Sequence, residues 1–419
     1  MTHFIVTAAG TSGDVLPFIE ICRHLKQRAK KVTLITSPYF HAEARKSGID
    51  FQELGSLTET EKLYGNSALW TEDRGFITLW KGCIEKHVDT IRRYVSQLNR
   101  SEDVVIICHF NVMPLADIAR AEKRRIRIIS CYLSPGTIRS QFGKFNIGSV
   151  EIDEDYPPKL KNKLFSWIDR NYFNAEILPT LNLHRAHLGL YPIENFLPYV
   201  QTAADAYATL FPAWYRPKAP DWPAPLIEGD FLFRRKTSVT GFSKPLKQFL
   251  KENESPVLIT AGTANSSASA FFKTAQQATK ALGLSAMYLT KQRTQLPRNL
   301  ENNSIWLKYC DLRTTLQYSA GCVSHGGIGT VADAMQAGVP QIIVPFAHDQ
   351  FDNARTIEEL GVGLSIPAKQ LTIDKLTTSL KKVLSDQRIK MKCRKIASKF
   401  IQNSAIDALV EKFVRLGET

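Results

Sequence analysis

"CVSHGGIGTVADAMQAGVPQIIVPFAHDQFDNA" runs from Cys322 to Ala354, and its reading decides the fold. A short apolar run ends at Ser324; His325 follows, and Gly326, Gly327 and Gly329 fall within four residues. A helix-forming stretch then extends from near Thr330 to Ala337, closed by Gly338 and Pro340, residue types that stop helices. "PQIIVP" supplies the next strand, and "FAHDQFDNA" follows its end. The glycines let backbone N–H groups approach an anion, and the helix start adds partial positive charge. His325 offers a ring N–H and Thr330 a hydroxyl. The same residues would also serve as a tight strand-to-helix turn with no ligand. Asp349 and Gln350 present acceptors and donors suited to a ring of hydroxyls. Asp349 or Asp352 would equally cap a helix over roughly Phe351–Leu360, closed by Gly361.

Outward from this stretch the chain repeats the same alternation. "PVLITAGT" (Pro256–Thr263) opens the series as a strand followed by Gly262 and Thr263, a second place where phosphate would be met, and "AMYLT" and "SIWLK" continue it. An earlier series holds "FIVTA" (Phe4–Ala8), "VTLIT", "VVIIC" and "RIIS", with a helix predicted to begin near Pro17, because proline suits a first helical turn. Short β-branched runs alternating with helices imply parallel sheets covered on both faces. Residues 134–200 read as loops and helices. "AWYRPKAPDWPAP" is too proline-rich for a central strand or a helix. It reads as a packed connection, with "RRKTSVTGFSK" as the linker after it. A long basic helical stretch is expected over about Asp386–Leu416. The fold class is therefore α/β: two doubly wound Rossmann-like domains facing a cleft at the carboxyl ends of their strands. The predicted boundaries are 1–235, 236–400, and a helical segment 401–419 returning to the first domain.

Gross composition agrees. A chain of 419 residues exceeds one ordinary core and suggests two domains of roughly 200 residues. Apolar residues are 44% and charged residues 22% of the chain, a globular balance. No apolar run approaches the roughly 18 residues of a membrane span. "MTHFIVTAAGTSGD" reads as a first strand and glycine loop rather than a signal peptide. Seven cysteines lack CxxC or metal-ligand spacing and are expected as buried thiols in a reducing cytoplasm. The balance of 54 basic to 40 acidic residues gives +14. No helix-turn-helix, zinc-finger or RNP-like pattern accompanies it, so nucleic acid is not the expected partner. An anionic membrane surface or a polyphosphate ligand would also suit that charge. There is no GxxxxGK[ST]; "AAGTSGDV" is not GxGxxG, and "LITSP" lacks the acidic ribose-binding residue. Hydride transfer is therefore not expected.

"HGGIGT…GVPQIIVP…HDQFDNA" resembles the donor-binding signature of family 1 glycosyltransferases with the GT-B fold, and "GTSGDVLPFIEICRHL" resembles the acceptor-side opening of their bacterial lipid, sterol and antibiotic branch. The resemblance covers about residues 4–400, with a finer likeness to rhamnosyltransferases of glycolipid synthesis. It implies that His325, Gly326, Gly327, Gly329 and Thr330 bind the diphosphate of a UDP- or dTDP-sugar, assisted by Thr263. Asp349 and Gln350 would hold the sugar, and Trp306–Tyr309 would lie near the base. Asp14 falls where this branch places its catalytic carboxylate. Many relatives have a His in that loop, paired with a distant Asp, and this chain has no such His. The implied reaction is inverting transfer of rhamnose or glucose to a hydrophobic, lipid-like hydroxyl, without cofactor or metal. One displacement inverts the anomeric carbon, and no covalent glycosyl-enzyme is needed. "KLKNKLFSWIDRNYF" offers Phe165 and Trp167 as acceptor-binding residues, either lining an acyl pocket or touching a membrane surface, or simply packing as an amphipathic helix. Cytoplasmic residence, with peripheral membrane contact, goes with that reading. The alternatives are a non-catalytic nucleotide-sugar-binding subunit that assists a partner enzyme, and a GT-B sugar epimerase for which no acid/base groups are apparent.

Overall fold

The computed structural model describes residues 2–233, 242–400 and 405–418. It divides into two compact units. The first comprises Met1–Leu69, Asp73–Arg234 and Asn403–Thr419; the second comprises Trp70–Glu72 and Arg235–Gln402. Most of the predicted linker, the boundary at 235/236 and the start of the 401–419 segment lie outside the described residues.

In the first unit, the strands are β1 (Thr2–Thr7), β2 (Lys31–Thr36), β3 (Asp50–Glu53), β4 (Asp103–His109), β5 (Ile126–Tyr132), β6 (Phe145–Ile147), β7 (Val150–Ile152), β8 (Ala206–Thr209) and β9 (Leu226–Ile227). All but β6 and β7, which form an antiparallel hairpin, join one sheet in the order β3-β2-β1-β4-β5-β8-β9. Every pairing in that sheet is parallel. The central strands are nearly continuous apolar runs because both of their faces are covered: Phe4, Ile5, Ile106, Ile107 and Ile128 are fully buried. Each such side chain contributes about 1.5–3 kcal/mol.

The first helix, Ser12–Gln27, begins earlier than the proline predicts. Thr11 and Asp14 form a capping box that starts it at Ser12 and leaves Pro17 inside. The box satisfies the first orphan N–H groups and offsets part of the cost of the interior proline, about 3 kcal/mol. The expected single C-terminal helix is two, Gln387–Ala397 and Ala405–Glu418. The second belongs to the first unit and buries Leu409, Val410, Phe413 and Val414. Its Asp407 accepts from Arg28 at 2.8 Å and pairs with His24 at 3.0 Å. "AWYRPKAPDWPAP" is an aromatic-lined connection, with Trp222 edge-on to Phe211 at 5.9 Å and Tyr215 against Phe231 at 5.2 Å.

In the second unit, β10 (Val257–Thr260), β11 (Ala286–Leu289), β12 (Ser304–Leu307), β13 (Gly321–Ser324), β14 (Gln341–Ile343) and β15 (Gly363–Ser365) form one sheet, ordered β12-β11-β10-β13-β14-β15 and wholly parallel. Leu258, Met287, Leu307, Cys322 and Leu316 meet in its core with Leu246 and Phe249. All seven cysteines are free thiols, and six are buried. No helix among the described residues is long and apolar enough to cross a membrane.

Candidate functional site

A parallel sheet delivers all its carboxyl ends to one edge, and its strand order reverses where a ligand can enter. In the second unit the reversal falls between β10 and β13, whose ends are level: Thr260 pairs with Ser324, and Ser324 with Ile343. Gly262, His325 and the 346–350 loop therefore converge.

His325 sits in a slot made by two glycines. A β-carbon on Gly327 would lie 2.5 Å from its Nε2, and one on Gly262 would lie 2.9 Å away. Gly262 has φ +89° and Gly326 φ +87°, values that an L side chain rarely adopts. A β-carbon on Gly326 would also run into Ile343. His325 Nδ1 is buried without a hydrogen-bond partner. Burial, with His348 nearby, holds the imidazole down at about 4, so it is neutral at ordinary pH.

Gly327 is the N-cap of the helix Ile328–Gln336, and no side chain caps that end. The first amides of such a helix have no intrahelical partner and favour an anion. Gly329 and Thr330 lie in that first turn, because the helix starts at Ile328, slightly before the start near Thr330 that the sequence predicts. The neighbouring loop is held by Gln350, whose Oε1 accepts from the N–H groups of Phe346 at 2.8 Å and Ala347 at 3.1 Å. Asn353 bridges its two sides, donating to the Gly326 carbonyl and to Asp349 Oδ2, each at 2.9 Å. Asp349 occupies the N-cap position of the helix Gln350–Leu360 but makes no side-chain cap. Within this loop His348 takes φ +58°, an uncommon strain for a non-glycine residue.

Thr263 is exposed on the longer loop that follows β10. Tyr309, beyond β12, is 72% exposed. It lines a cavity of about 400 Å³ with Trp306, Lys308 and Lys291 at the ends of β11 and β12. Trp306 is fixed there by its Nε1 donating to the Thr290 carbonyl at 2.8 Å.

In the first unit the order reverses between β1 and β4. Asp14 belongs to this edge, in the helix's first turn rather than in the loop. Its Oδ2 accepts from the Thr11 N–H at 2.7 Å and from the Thr11 hydroxyl at 3.1 Å. Tyr64 donates to the Gly10 carbonyl at 2.8 Å; burial first, and then the Asp14 charge, push its pKa up. His109, at the end of β4, was not singled out by motif: it closes an apolar run and looks like core.

Phe165 and Trp167 are not brought onto one surface. Phe165 is buried against Phe145 at 4.8 Å and under Arg139 at 4.6 Å, whereas Trp167 is 62% exposed. Two residues apart on the helix Pro158–Ile168, they point some 200° apart.

The glycosyltransferase family 28 N-terminal domain matches residues 4–90, and the C-terminal domain described as erythromycin biosynthesis protein CIII-like matches residues 286–416. Sterol 3-beta-glucosyltransferase UGT80B1 of Arabidopsis thaliana is 23% identical across 98% of this chain and 67% of that protein. Sterol 3-beta-glucosyltransferase of Komagataella phaffii is 24% identical across 97% of this chain, which spans only 34% of that relative. The spinosyn forosaminyltransferase SpnP superposes with a TM-score of 0.69 at 16% identity, covering all of both chains. The spinosyn rhamnosyltransferase SpnG does so with a TM-score of 0.65 at 14% identity, covering 99% of this chain and 100% of that one. At those identities the solved structures speak for the fold, which is GT-B, while the two family models agree from opposite ends of the sequence. With the glycine-walled helix start at the reversal of its second sheet, the chain belongs to the family 1 UDP-glycosyltransferase superfamily.

Proposed function

We propose that the protein is an inverting glycosyltransferase that moves a hexose, rhamnose or glucose, from a dTDP- or UDP-sugar to a hydroxyl of a hydrophobic, lipid-like acceptor. The observation that carries this is the uncapped start of the helix Ile328–Gln336 beside the His325 slot. It offers free amides and a neutral ring N–H to a diphosphate. Negative charge grows on that group as the glycosidic bond breaks, and fixed donors aimed at developing charge are the strongest electrostatic aid to such a step. The residues at this helix start supply that neutralisation themselves, so transfer is expected to persist in EDTA.

Thr263 and Thr330 add hydroxyl donors to the diphosphate. Asp349 and the amide N–H groups of Gln350 take the sugar hydroxyls, since Gln350 Oε1 is already engaged by its own loop. The cavity with Trp306 and Tyr309 takes the base. Asp14 acts as general base toward the acceptor hydroxyl; both hydrogen bonds seen to its carboxylate use Oδ2, which leaves Oδ1 for the acceptor. The likeness to sterol 3-beta-glucosyltransferases supports a lipid-like acceptor.

The test is a thermal-shift screen against UDP-glucose, dTDP-rhamnose, UDP and dTDP, followed by transfer assays on sterol and hydroxy-fatty-acid acceptors. Stabilisation by one nucleotide series together with a glycosylated product supports the reading. Stabilisation with neither transfer nor donor hydrolysis would favour a non-catalytic nucleotide-sugar-binding subunit. No stabilisation by any of the four would end the donor assignment.

A further inference from the structure

His109 is 4% exposed, and its Nδ1 is buried without a hydrogen-bond partner. An unpartnered buried polar atom costs about 1–3 kcal/mol. A phenylalanine would fill the same space without that cost, so packing does not account for the residue.

Two ring contacts and the strand register fix where the ring lies. It meets Phe18 edge-on at 5.9 Å and Phe110 at 4.8 Å. Phe18 stands four residues after Asp14 on the helix Ser12–Gln27, and residues so spaced share a helix face. His109 therefore lies on the face that carries Asp14. Thr7 pairs with Cys108 across β1 and β4, so His109 stands at the head of β1, where the glycine loop begins. Asn111 Nδ2 donates to the Ala9 carbonyl at 2.9 Å and ties the two loops together. This is the point at which the sheet order reverses.

The groups around the ring carry a single charge. Across β5 it faces Cys131, a thiol pushed well up by burial and therefore neutral. Asn111 is neutral, as is Tyr64, whose hydroxyl is pushed up by burial and then by the Asp14 charge. The one charged group is the Asp14 carboxylate: burial pushes the His109 pKa down, and the Asp14 charge first, then a hydrogen bond with the Asn111 side chain, work against that push.

We propose that His109 is the positioning residue for Asp14, and that the two act as one ionising pair that holds the proton taken from the acceptor. The inference rests on the reading of Asp14 as the base. In the step, the acceptor O–H bond breaks and its proton goes to the pair. The acceptor oxygen forms a bond to the anomeric carbon. The bond from that carbon to the diphosphate oxygen breaks, and its electron pair leaves on the nucleoside diphosphate. The proton is later lost to water. Coupled groups in a poorly hydrated site share a proton as a unit, so the proton taken from the acceptor is held by the pair and not by the carboxylate alone.

Two measurements test this. The first needs no acceptor: the ¹³C-labelled His109 imidazole is titrated by NMR in wild type and in Asp14→Asn. Loss of the opposing charge should lower the His109 midpoint by on the order of one pKa unit; an unmoved midpoint overturns the pair. The second follows hydrolysis of UDP-glucose or dTDP-rhamnose, with water as the acceptor. His109→Phe keeps the packing against Phe18 and Phe110. It should lower kcat about 10–100-fold, leave the donor KM unchanged, and remove one ionisation from the acid limb of the pH profile. His109→Gln should do the same and serves if the phenylalanine variant does not fold. A folded variant with wild-type kcat and pH profile overturns the proposal. If Asp14→Asn itself retains full activity, the base reading has failed; if Asp14→Asn is inactive and His109→Phe is wild type, only the pair has failed.

Discussion

Thr11 gives both its N–H and its hydroxyl to a single oxygen of Asp14, at 2.7 and 3.1 Å. Asp14 therefore has a structural task, closing the capping box of the first helix, beside the chemical one proposed for it. The two separate by substitution. An asparagine still presents a carbonyl oxygen to Thr11 but is not a base. Asp14→Asn should melt within about 0.5 kcal/mol of wild type, whereas Asp14→Ala should lose about 1 kcal/mol with the cap. Both should lose about 10²–10⁴ in transfer rate. Chemical denaturation and a donor-consumption assay on the two variants check this; a drop in rate that tracks only the drop in stability would leave Asp14 a cap and nothing more.

Gly327 tests the His325 slot without straining the backbone. Its φ of −60° suits any residue, yet a β-carbon would lie 2.5 Å from His325 Nε2. Gly327→Ala should therefore fold, lose about 1 kcal/mol as a poorer N-cap, and displace the ring. UDP or dTDP binding, measured calorimetrically, should weaken about tenfold or more, the loss of roughly one good hydrogen bond to a charged group. Gly326→Ala is a different case. At φ +87°, and against Ile343, it should destabilise the whole unit by on the order of 2–4 kcal/mol.

The amphipathic stretch around Lys161 divides in the same manner. Lys161 is fully buried, and its ammonium donates to the carbonyls of Gly143 at 3.0 Å, Glu154 at 3.1 Å and Gln141 at 3.3 Å. Lys161→Met would orphan those carbonyls and should cost about 2–4 kcal/mol. Phe165→Ala should cost about 3–5 kcal/mol. Trp167→Ala, at an exposed site, should change stability by less than about 0.5 kcal/mol. Urea unfolding of the three variants distinguishes them. If Trp167→Ala nonetheless raises the KM for a lipid-like acceptor, Trp167 touches that acceptor while Phe165 only supports the helix.

The two parallel sheets were legible because their central strands, such as "FIVTA" and "VVIIC", are covered on both faces and so become continuous apolar runs. Strands at the sheet edges were not. β3, "DFQE", is half-charged, and β15, "GLS", is three residues long, so neither shows a period. The glycine cradle was legible because Gly262 and Gly326 take positive φ, a demand that leaves a mark in composition. The helix start at Ser12 was hidden by Pro17: a proline signal is strong and local, whereas the Thr11–Asp14 box is two ordinary polar residues. His109 was hidden for the opposite reason. It ends an apolar strand, and only the strand order and the helix face of Phe18 bring it toward Asp14.

The buried His325 makes stability depend on pH in a predictable direction. Its folded pKa, about 4, lies below the 6.5 of a free imidazole. Between those values the unfolded chain binds a proton that the folded chain refuses. The stability it permits is therefore complete above about 6.5, falls as pH drops through that window, and falls no further below about 4. The slope approaches about 1.4 kcal/mol per pH unit, a loss on the order of 3 kcal/mol across the window. Denaturant unfolding at pH 7.5 and pH 5 should show this difference in wild type and a smaller one in His325→Gln, which has no proton to refuse. Bound UDP should reduce the acid loss in wild type, because an anion at the ring favours the imidazolium. It should not do so in His325→Gln. An acid loss that is equal in the two proteins would place the titrating group elsewhere and leave the imidazole without a charge-dependent part in donor binding.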